Sequence, residues 1–305
     1  MRSEAAQLPE SRRTSVLRSD LLFLLKAARP GFWSTCVWFY LLPVGQRNMF
    51  GTPTFWLGLV YCTFPLGLLL YGWNDLADRE TDRLNPRKDS LIFGARGTDA
   101  QLARLPLIIA LVQAPFLIAF LLLIGVKALG WFGAVLLVNW LYNRPQFPFK
   151  SHAPLDMLNQ AGYLLVFPLS SWLNGVPQLP WATFLFSALF AMHSHLFGQI
   201  MDIVPDREAG RRTTAICLGI VPAKILLVAM LAGETAFVAW AFKNPYLTAA
   251  MALGTLWLLF DLTVLFRNRL YPTNALTLFA LGLNFAMFST MHWVWLTGVL
   301  LHMRA

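Results

Sequence analysis

The chain has 305 residues, of which 57% are hydrophobic and 13% are charged, and its mean hydropathy is +0.56. Soluble domains carry about 25% charged residues, so this composition excludes an ordinary soluble domain and indicates an integral, multi-pass membrane protein. A formal net charge of +9 would fit nucleic-acid binding in a soluble protein. In a membrane protein it is more typical of a basic cytoplasmic face against anionic headgroups, so we expect membrane lipids, and no nucleic acid, as partners.

The predicted architecture is all-α. Residues 1–27 are predicted to be a cytoplasmic N-terminal tail, and its leucine-rich end, with interspersed charges, is typical of an interfacial amphipathic helix. Residues 28–305 are predicted to form a single transmembrane domain. Since a span needs about 20 apolar residues, the hydropathy pattern predicts about nine transmembrane helices, at 30–46, 53–73, 106–125, 127–142, 160–174, 181–199, 216–242, 245–266 and 276–300.

The placement of lysine and arginine predicts the orientation. With the N-terminus inside, the segments on the cytoplasmic side hold 20 of the 24 basic residues. Such an asymmetry is the positive-inside signal, and it also supports the number of spans. The longest polar loop, 74–105, and the segment 200–224 then lie on the same, cytoplasmic, side.

Each of these two polar segments begins with an aspartate cluster that ends a predicted span. The first cluster contains Asn74, Asp75, Asp78 and Asp82, and the second contains Asp202 and Asp206. If both segments are helical, the aspartates of each cluster lie on one helix face, since their spacings are i, i+3, i+7 and i, i+4. Like charges this close repel each other and raise each other's pKa, which predicts that a cation lies between them.

Mg²⁺ is the cation that this pattern favours. It is usually bound by one or two carboxylates, keeps several waters and bridges to substrate phosphates. Two facing clusters are therefore predicted to hold two or three Mg²⁺ ions with a diphosphate between them. Basic residues that the sequence places within reach would offset the remaining phosphate charge: Arg87, Lys88, Lys150, Arg211 and Arg212.

Two other interpretations remain open at this point. The mixed charges at the helix ends could be solvent-exposed ion pairs, although two such clusters at the ends of two spans on one side argue against that. Carboxylates near a membrane also mark ion pathways, so a polytopic ion or lipid transporter is the alternative function. Glu234 and Asp261, which lie inside predicted spans, are not assigned a role.

The pattern NDxxDxxxD at 74–82, the later DxxxD at 202–206 and the predicted spans resemble the UbiA superfamily of intramembrane prenyltransferases. The resemblance implies a helical bundle around a central cavity that the motif loops cap on the cytoplasmic side. It also implies Mg²⁺-dependent transfer of a prenyl group from an allylic diphosphate, through an allylic carbocation, to a hydrophobic acceptor, with release of pyrophosphate.

The resemblance also implies roles for particular residues. Asp75, Asp78, Asp82, Asp202 and Asp206 would bind Mg²⁺ and act in catalysis. The diphosphate would contact the following residues: Asn74, Arg87, Lys88, Tyr142, Lys150 and Arg211. Many relatives that use aromatic acceptors carry an Asn-Asp pair where this chain has Gly198 and Gln199. The strings at 85–89 and 205–210 resemble the carotenoid-modifying, lycopene elongase-like branch, while quinone, chlorophyll-type and other ring acceptors stay open.

Aromatic side chains inside the bundle could stabilise an allylic cation through cation–π contacts. The candidates are Phe64, Tyr71, Trp73, Trp140 and Tyr163. The sequence does not identify the base that removes the final proton.

Overall fold

The computed structural model describes residues 10–83 and 88–303. Within these ranges the chain consists of helices and loops without a β-strand, which confirms the predicted all-α fold. The α-helices of the described residues are α1 (Glu10–Ala27), α2 (Trp33–Leu41), α3 (Pro53–Tyr61), α4 (Phe64–Gly67), α5 (Trp73–Ala77), α6 (Arg79–Asp82), α7 (Asp99–Ile124), α8 (Lys127–Asn143), α9 (Leu155–Leu158), α10 (Val166–Asn174), α11 (Trp181–Met201), α12 (Ile203–Glu208), α13 (Thr214–Leu218), α14 (Ile220–Phe242), α15 (Pro245–Phe260) and α16 (Thr273–Thr297). Shorter 3-10 helices are Pro30–Phe32, Leu42–Val44, Phe149–Ser151 and Asn159–Leu165, and π-helices are Leu68–Gly72 and Asp261–Leu265.

Helix α7 carries large apolar side chains on its outer face. Leu107, Leu111, Ile118 and Leu122 are 59% to 83% exposed. The side chains on its inner face, such as Leu105 and Phe120, are buried. Continuous apolar surface of this kind is rare on soluble proteins and is what hydrocarbon requires, so the outer face is the lipid-facing one.

Five helical segments among the described residues are long and apolar enough to cross a membrane: Pro53–Ala77, Asp99–Ile124, Trp181–Met201, Ile220–Phe242 and Pro245–Leu265. The protein is therefore an integral membrane protein. Each of the nine predicted segments contains a helix, but several are short, so the number of spans stays a prediction, as does their sidedness. The seventh span begins later than predicted. Gly219, with φ of 82°, ends α13 and lets α14 start at Ile220.

The N-terminal helix α1 has two unlike faces. Phe23 and Ala27 are buried against the bundle, whereas Leu17, Leu21 and Leu25 are exposed. This arrangement is consistent with a helix that lies at the membrane interface, although that location stays a prediction. Residues 1–9 of the predicted tail lie outside the described residues.

The segment that leads to the first aspartate cluster departs from a regular α-helix. Pro65 and the π-helix Leu68–Gly72 interrupt the regular pattern of α-helical hydrogen bonds. Side chains from neighbouring helices donate to carbonyls of this segment: Gln113 Nε2 lies 2.8 Å from Pro65 O, and Asn139 Nδ2 lies 3.1 Å from Leu69 O. Hydrocarbon offers no such donors, so α7 and α8 stabilise this irregular segment and fix where the cluster begins.

A buried ion pair stabilises the second π-helix. Lys224 Nζ lies 2.8 Å from Asp261 Oδ2, and both side chains are less than 5% exposed. The same ammonium donates to the carbonyl of Phe266 at 2.7 Å and to that of Arg269 at 3.3 Å. Asp261, which the sequence left unassigned, is therefore the partner of a lysine that holds the end of α15 against α14.

We expect Lys224→Met to lower the free energy of unfolding by about 3–5 kcal/mol, because it leaves a buried carboxylate and two carbonyls without a donor. Thermal unfolding in detergent measures this. The matched variants are Asp261→Asn and the double variant, which should lose less than the sum of the two single losses. Additive losses would contradict a direct ion pair.

Candidate active site

The two aspartate clusters have the same backbone geometry. Asp78 follows α5 with φ −97° and ψ 10°, and Asp202 follows α11 with φ −98° and ψ 6°. Each starts a short helix, and each donates its backbone N–H to the carbonyl of the residue four positions earlier. That residue is Asn74 for Asp78 and Gly198 for Asp202. The repeated geometry makes Asp82 the counterpart of Asp206, and the pair Asn74-Asp75 the counterpart of Gly198-Gln199.

Asp75 is buried and has two cationic partners. Its Oδ1 lies 2.5 Å from Arg29 Nη2 and 2.6 Å from Lys88 Nζ. Its Oδ2 accepts a hydrogen bond of 3.0 Å from the backbone N–H of Ala95. Gly94, with φ of 101°, allows this approach, since a Cβ there would lie 2.9 Å from Asp75 Oδ2. Lys88 also reaches Asp82 Oδ2 at 2.7 Å, so it joins two aspartates of the first cluster.

Arg211 joins the two clusters. Its Nη2 lies 2.7 Å from Asp78 Oδ1, and its Nη1 lies 3.0 Å from Asp206 Oδ1. Lys150 also binds Asp78, with Nζ 2.7 Å from the same Oδ1. Residues more than 120 positions apart in the chain thus meet in one polar site, as the sequence predicts.

The basic partners set the protonation of these carboxylates. Burial alone would raise the pKa of Asp78, but the charges of Lys150 and Arg211 hold it below its ordinary value. Burial raises the pKa of Asp82 to about 6, with Lys88 opposing the shift and Asp78 adding to it. Asp78 is therefore firmly anionic, whereas the charge on Asp82 depends on the cation beside it.

A chain of amides connects the site to the membrane helices. Asn74 Nδ2 donates to Asp78 Oδ2 and to Asn143 Oδ1, each at 3.1 Å. Lys150 Nζ donates to the same Asn143 oxygen at 2.8 Å. Asn143 Nδ2 in turn donates to the carbonyl of Asn139, which binds the π-helix. Helix α8 therefore positions both the first cluster and Lys150.

The second cluster is fixed by hydrogen bonds from uncharged donors to Asp156, which is fully buried. Its carboxylate accepts hydrogen bonds from the N–H and the hydroxyl of Thr214, at 2.6 and 2.7 Å. It also accepts one of 2.6 Å from Gln199 Nε2 and one of 2.9 Å from the N–H of Met157. Gln199 lies before the second cluster and Thr214 after it, so Asp156 holds both ends of that loop.

A cavity of about 430 Å³ extends from the clusters into the bundle. Asp78, Asp82, Asp202, Asp206 and Arg211 line its polar end. Its deeper wall is largely apolar and aromatic and includes Leu66, Trp131, Val135, Phe190 and Phe279. The cavity can therefore take a ligand with an anionic end and a hydrocarbon end.

Two of the five aromatic candidates line this cavity. Tyr71 and Tyr163 lie on its wall, with their hydroxyl oxygens 2.8 Å apart. Phe64 and Trp73 pack on the hydrophobic core instead. Trp140 is 46% exposed and lies against the Arg144 guanidinium, so these three do not line the cavity.

Most residues predicted for the site come together in the structure. Those that line the cavity are Asn74, Asp78, Asp82, Lys88, Tyr142, Lys150, Asp202, Asp206 and Arg211. Asp75 lies just behind this wall, bound to Lys88. Arg87 lies outside the described residues. The metal-binding, catalytic and diphosphate-binding roles of all these residues stay predictions.

Sequence reasoning missed Arg29, Asn143 and Asp156. Arg29 contacts Asp75 and Asn74 and lies over the Tyr71 ring, 4.9 Å from its centroid. The signal for it was an arginine directly before Pro30 at the start of a span, where a charge at the bundle edge needs a partner. Asn143 and Asp156 carried no signal beyond being polar residues beside apolar segments.

The donor set fits hard divalent cations. Carboxylate and amide oxygens are the ligands that Mg²⁺ prefers. Within the described residues, no three acidic, His or Cys side chains form a ready-made metal cage. Mg²⁺ requires no such cage when it keeps waters and shares a phosphate, so the residues present fit ions that enter together with a diphosphate.

Comparison with known proteins identifies the family. Residues 32–283 match the UbiA prenyltransferase family. The chain belongs to this family. It is 34% identical to a lycopene elongase/hydratase of Haloarcula japonica over 229 residues, which span 70% of this chain and 74% of the relative. It is 31% identical to a lycopene elongase/hydratase of Halobacterium salinarum over 207 residues, which span 65% and 71%.

A solved structure of a UbiA homolog from Archaeoglobus fulgidus, bound to DMAPP and Mg²⁺, has the same fold. Its TM-score is 0.68 at 20% identity, and the match covers 90% of this chain and 99% of the homolog. The same homolog bound to GPP and Mg²⁺ gives a TM-score of 0.56 at 21% identity. The predicted family is confirmed, and this UbiA-family protein is a membrane-bound prenyltransferase, which favours the enzyme over the transporter.

For this UbiA-family enzyme we expect Asp156→Asn to lower the free energy of unfolding by about 2–4 kcal/mol. The amide keeps one acceptor oxygen and turns an –NH₂ toward groups that are themselves donors. Thermal unfolding in detergent gives the stability. Asp20→Asn, far from this network, is the control and should change little. Wild-type stability of Asp156→Asn would contradict the role of Asp156.

Proposed function

We propose that the protein transfers a prenyl group from an allylic prenyl diphosphate to a carotenoid of the lycopene type, with the help of Mg²⁺. The observation that carries this proposal is the cavity whose polar end is formed by both aspartate clusters, joined by Arg211, and whose remainder is hydrocarbon-like. The carotenoid acceptor is supported by the names of the relatives from Haloarcula japonica and Halobacterium salinarum.

The charges of the site support the need for metal ions. Four carboxylates are matched by four basic side chains in ion pairs: Asp75, Asp78, Asp82 and Asp206 with Arg29, Lys88, Lys150 and Arg211. Asp202 adds a further carboxylate to the cavity wall. A diphosphate would add negative charge that this set does not offset in a buried site. Two or three Mg²⁺ ions, held by the five aspartates, would restore the balance.

The basic side chains would bind the donor. When ions and a diphosphate enter, Lys88, Lys150 and Arg211 can exchange carboxylate oxygens for phosphate oxygens without leaving the cavity wall. Arg29 lies on the same wall, bound to Asp75 and stacked on Tyr71, and can make the same exchange. Asn74 and Tyr142 complete the polar end as hydrogen-bonding groups.

Catalysis would come from electrostatic stabilisation of the leaving group. As the allylic C–O bond breaks, negative charge develops on the departing pyrophosphate, where basic side chains are already in place. Bound Mg²⁺ supplies further charge neutralisation at the same oxygens. The positive charge left on the allylic carbons lies deeper in the cavity, where the rings of Tyr71 and Tyr163 can stabilise it. The electron-rich double bond of the acceptor then attacks.

We expect Asp75→Asn and Asp202→Asn each to lower Mg²⁺-dependent transfer by about 100-fold or more, because each removes charge that binds the ions of the leaving group. Pyrophosphate release with saturating donor measures the loss. Glu80→Gln is the matched control, since Glu80 lies in the same motif but is 66% exposed and pairs with Arg79 and Arg83. Full activity of both aspartate variants in folded protein would overturn the proposed ion sites.

The substrates can be identified in one experiment. Membranes that contain the protein are given Mg²⁺, labelled allylic diphosphates of about five to twenty carbons, and lycopene, quinone or chlorophyll precursors. We expect label in the carotenoid fraction, detected by mass spectrometry, and its loss in Asp202→Asn. Label in a quinone or chlorophyll precursor instead would keep prenyl transfer and refute the carotenoid acceptor.

A further inference from the structure

The final step of the proposed reaction requires a proton acceptor. When the acceptor double bond attacks the allylic cation, a carbon–carbon bond forms and the positive charge moves to an acceptor carbon. The charge is then removed in one of two ways. Either an adjacent C–H bond breaks and its electrons form a new double bond, or a water oxygen bonds to the cationic carbon and loses a proton. Each route delivers one proton to a base.

The described residues that line the cavity offer few neutral bases. The carboxylates on its wall lie at the polar end, where basic side chains and the proposed ions bind them. Away from that end the titratable groups are Tyr71, Tyr163 and His195. Neutral phenols accept protons poorly, and the two tyrosines are already hydrogen-bonded to each other. His195 is the neutral base among them, since an unprotonated imidazole accepts a proton readily.

His195 lies at a suitable depth. It precedes Asp202 by seven residues at the end of the same helix, which places it on the same face about 10 Å farther into the membrane. The diphosphate would lie beside Asp202, so the allylic carbons and the attacking acceptor would lie toward His195. Both residues line the cavity.

His195 also lacks the structural bond that a buried histidine usually makes. Its Nε2 is buried without a hydrogen-bond partner among the described residues. Its ring lies against the edge of Tyr142, with centroids 6.2 Å apart.

His193, two residues earlier on α11, provides a contrast. Its Nδ1 lies 2.7 Å from Glu234 Oε1 on α14, so it holds two helices together. It is not among the residues that line the cavity. Residues at i and i+2 lie on nearly opposite faces of a helix, so the two imidazoles have different surroundings despite their closeness in sequence.

We propose that His195 accepts the proton of the water that adds to the acceptor cation. The proposal rests on the proposed function. The paired name elongase/hydratase of the relatives fits a site where addition of water and loss of a proton from carbon both follow prenyl transfer. A base at this position would decide how the cation is quenched.

The test compares His195→Gln and His195→Ala with wild type and with His193→Gln, using lycopene and a labelled allylic diphosphate. Two quantities are measured: the rate of pyrophosphate release, and the ratio of hydroxylated to non-hydroxylated prenylated products. We expect pyrophosphate release to change less than about 5-fold, because His195 does not bind the leaving group. The hydroxylated share should fall at least about 10-fold, since general bases contribute about 100-fold or more. His193→Gln should keep the wild-type ratio.

Added imidazole separates a proton acceptor from a residue that only shapes the cavity. In His195→Ala, we expect imidazole to restore much of the hydroxylated product, whereas a purely structural loss would not respond. Wild-type ratios in both His195 variants would overturn the proposal and leave pyrophosphate or an aspartate as the base. Absence of any prenylated carotenoid from the wild-type protein would instead refute the proposed function.

Discussion

The site depends on the balance of charge around Asp78. This carboxylate is buried, and an isolated buried charge is far too costly to persist. Lys150 and Arg211 both bind it, and Arg211 continues to Asp206 in the other cluster. The two halves of the site are therefore joined through one guanidinium, whose planar fork can bind two carboxylates at once. Because of the same balance, we expect a diphosphate to bind only together with further cations.

The two clusters share a backbone but differ in their surroundings. In the first, Asp75 is bound by the charges of Arg29 and Lys88. In the second, the equivalent position is Gln199, which donates to the buried Asp156. The second cluster shares the ion pair of Arg211 with the first. Its ends are also held by hydrogen bonds from uncharged donors to the Asp156 carboxylate, and such buried bonds are costly to break.

The membrane accounts for where the irregular segments lie. A break in a helix exposes carbonyls that hydrocarbon cannot satisfy, so each break needs a polar side chain from a neighbouring helix. Gln113 and Asn139 donate to carbonyls of the irregular segment before the first cluster. Lys224 donates to a carbonyl at the end of the π-helix that follows α15. The buried polar residues of the bundle are therefore mostly structural, and they also set the position of the clusters at the end of the cavity.

The sequence by itself determined the class of the protein, the helical segments and the identity of the two clusters. These features follow from local properties: apolar runs long enough for a membrane, and aspartates at helical spacing that must share a cation. It also predicted that Arg211 would lie near the clusters, because Arg211 follows the second cluster directly, and the family resemblance implied the same for Lys150. Only the tertiary structure decided which partners meet. Arg29, Asn143 and Asp156 bind partners in the site that lie 43 to 69 positions away in the chain, and no local pattern encodes such contacts. The tertiary structure also decided that α14 begins directly after Gly219. It further decided that His195 lines the cavity while His193 holds two helices together, since the surroundings of a side chain depend on the helices packed against it.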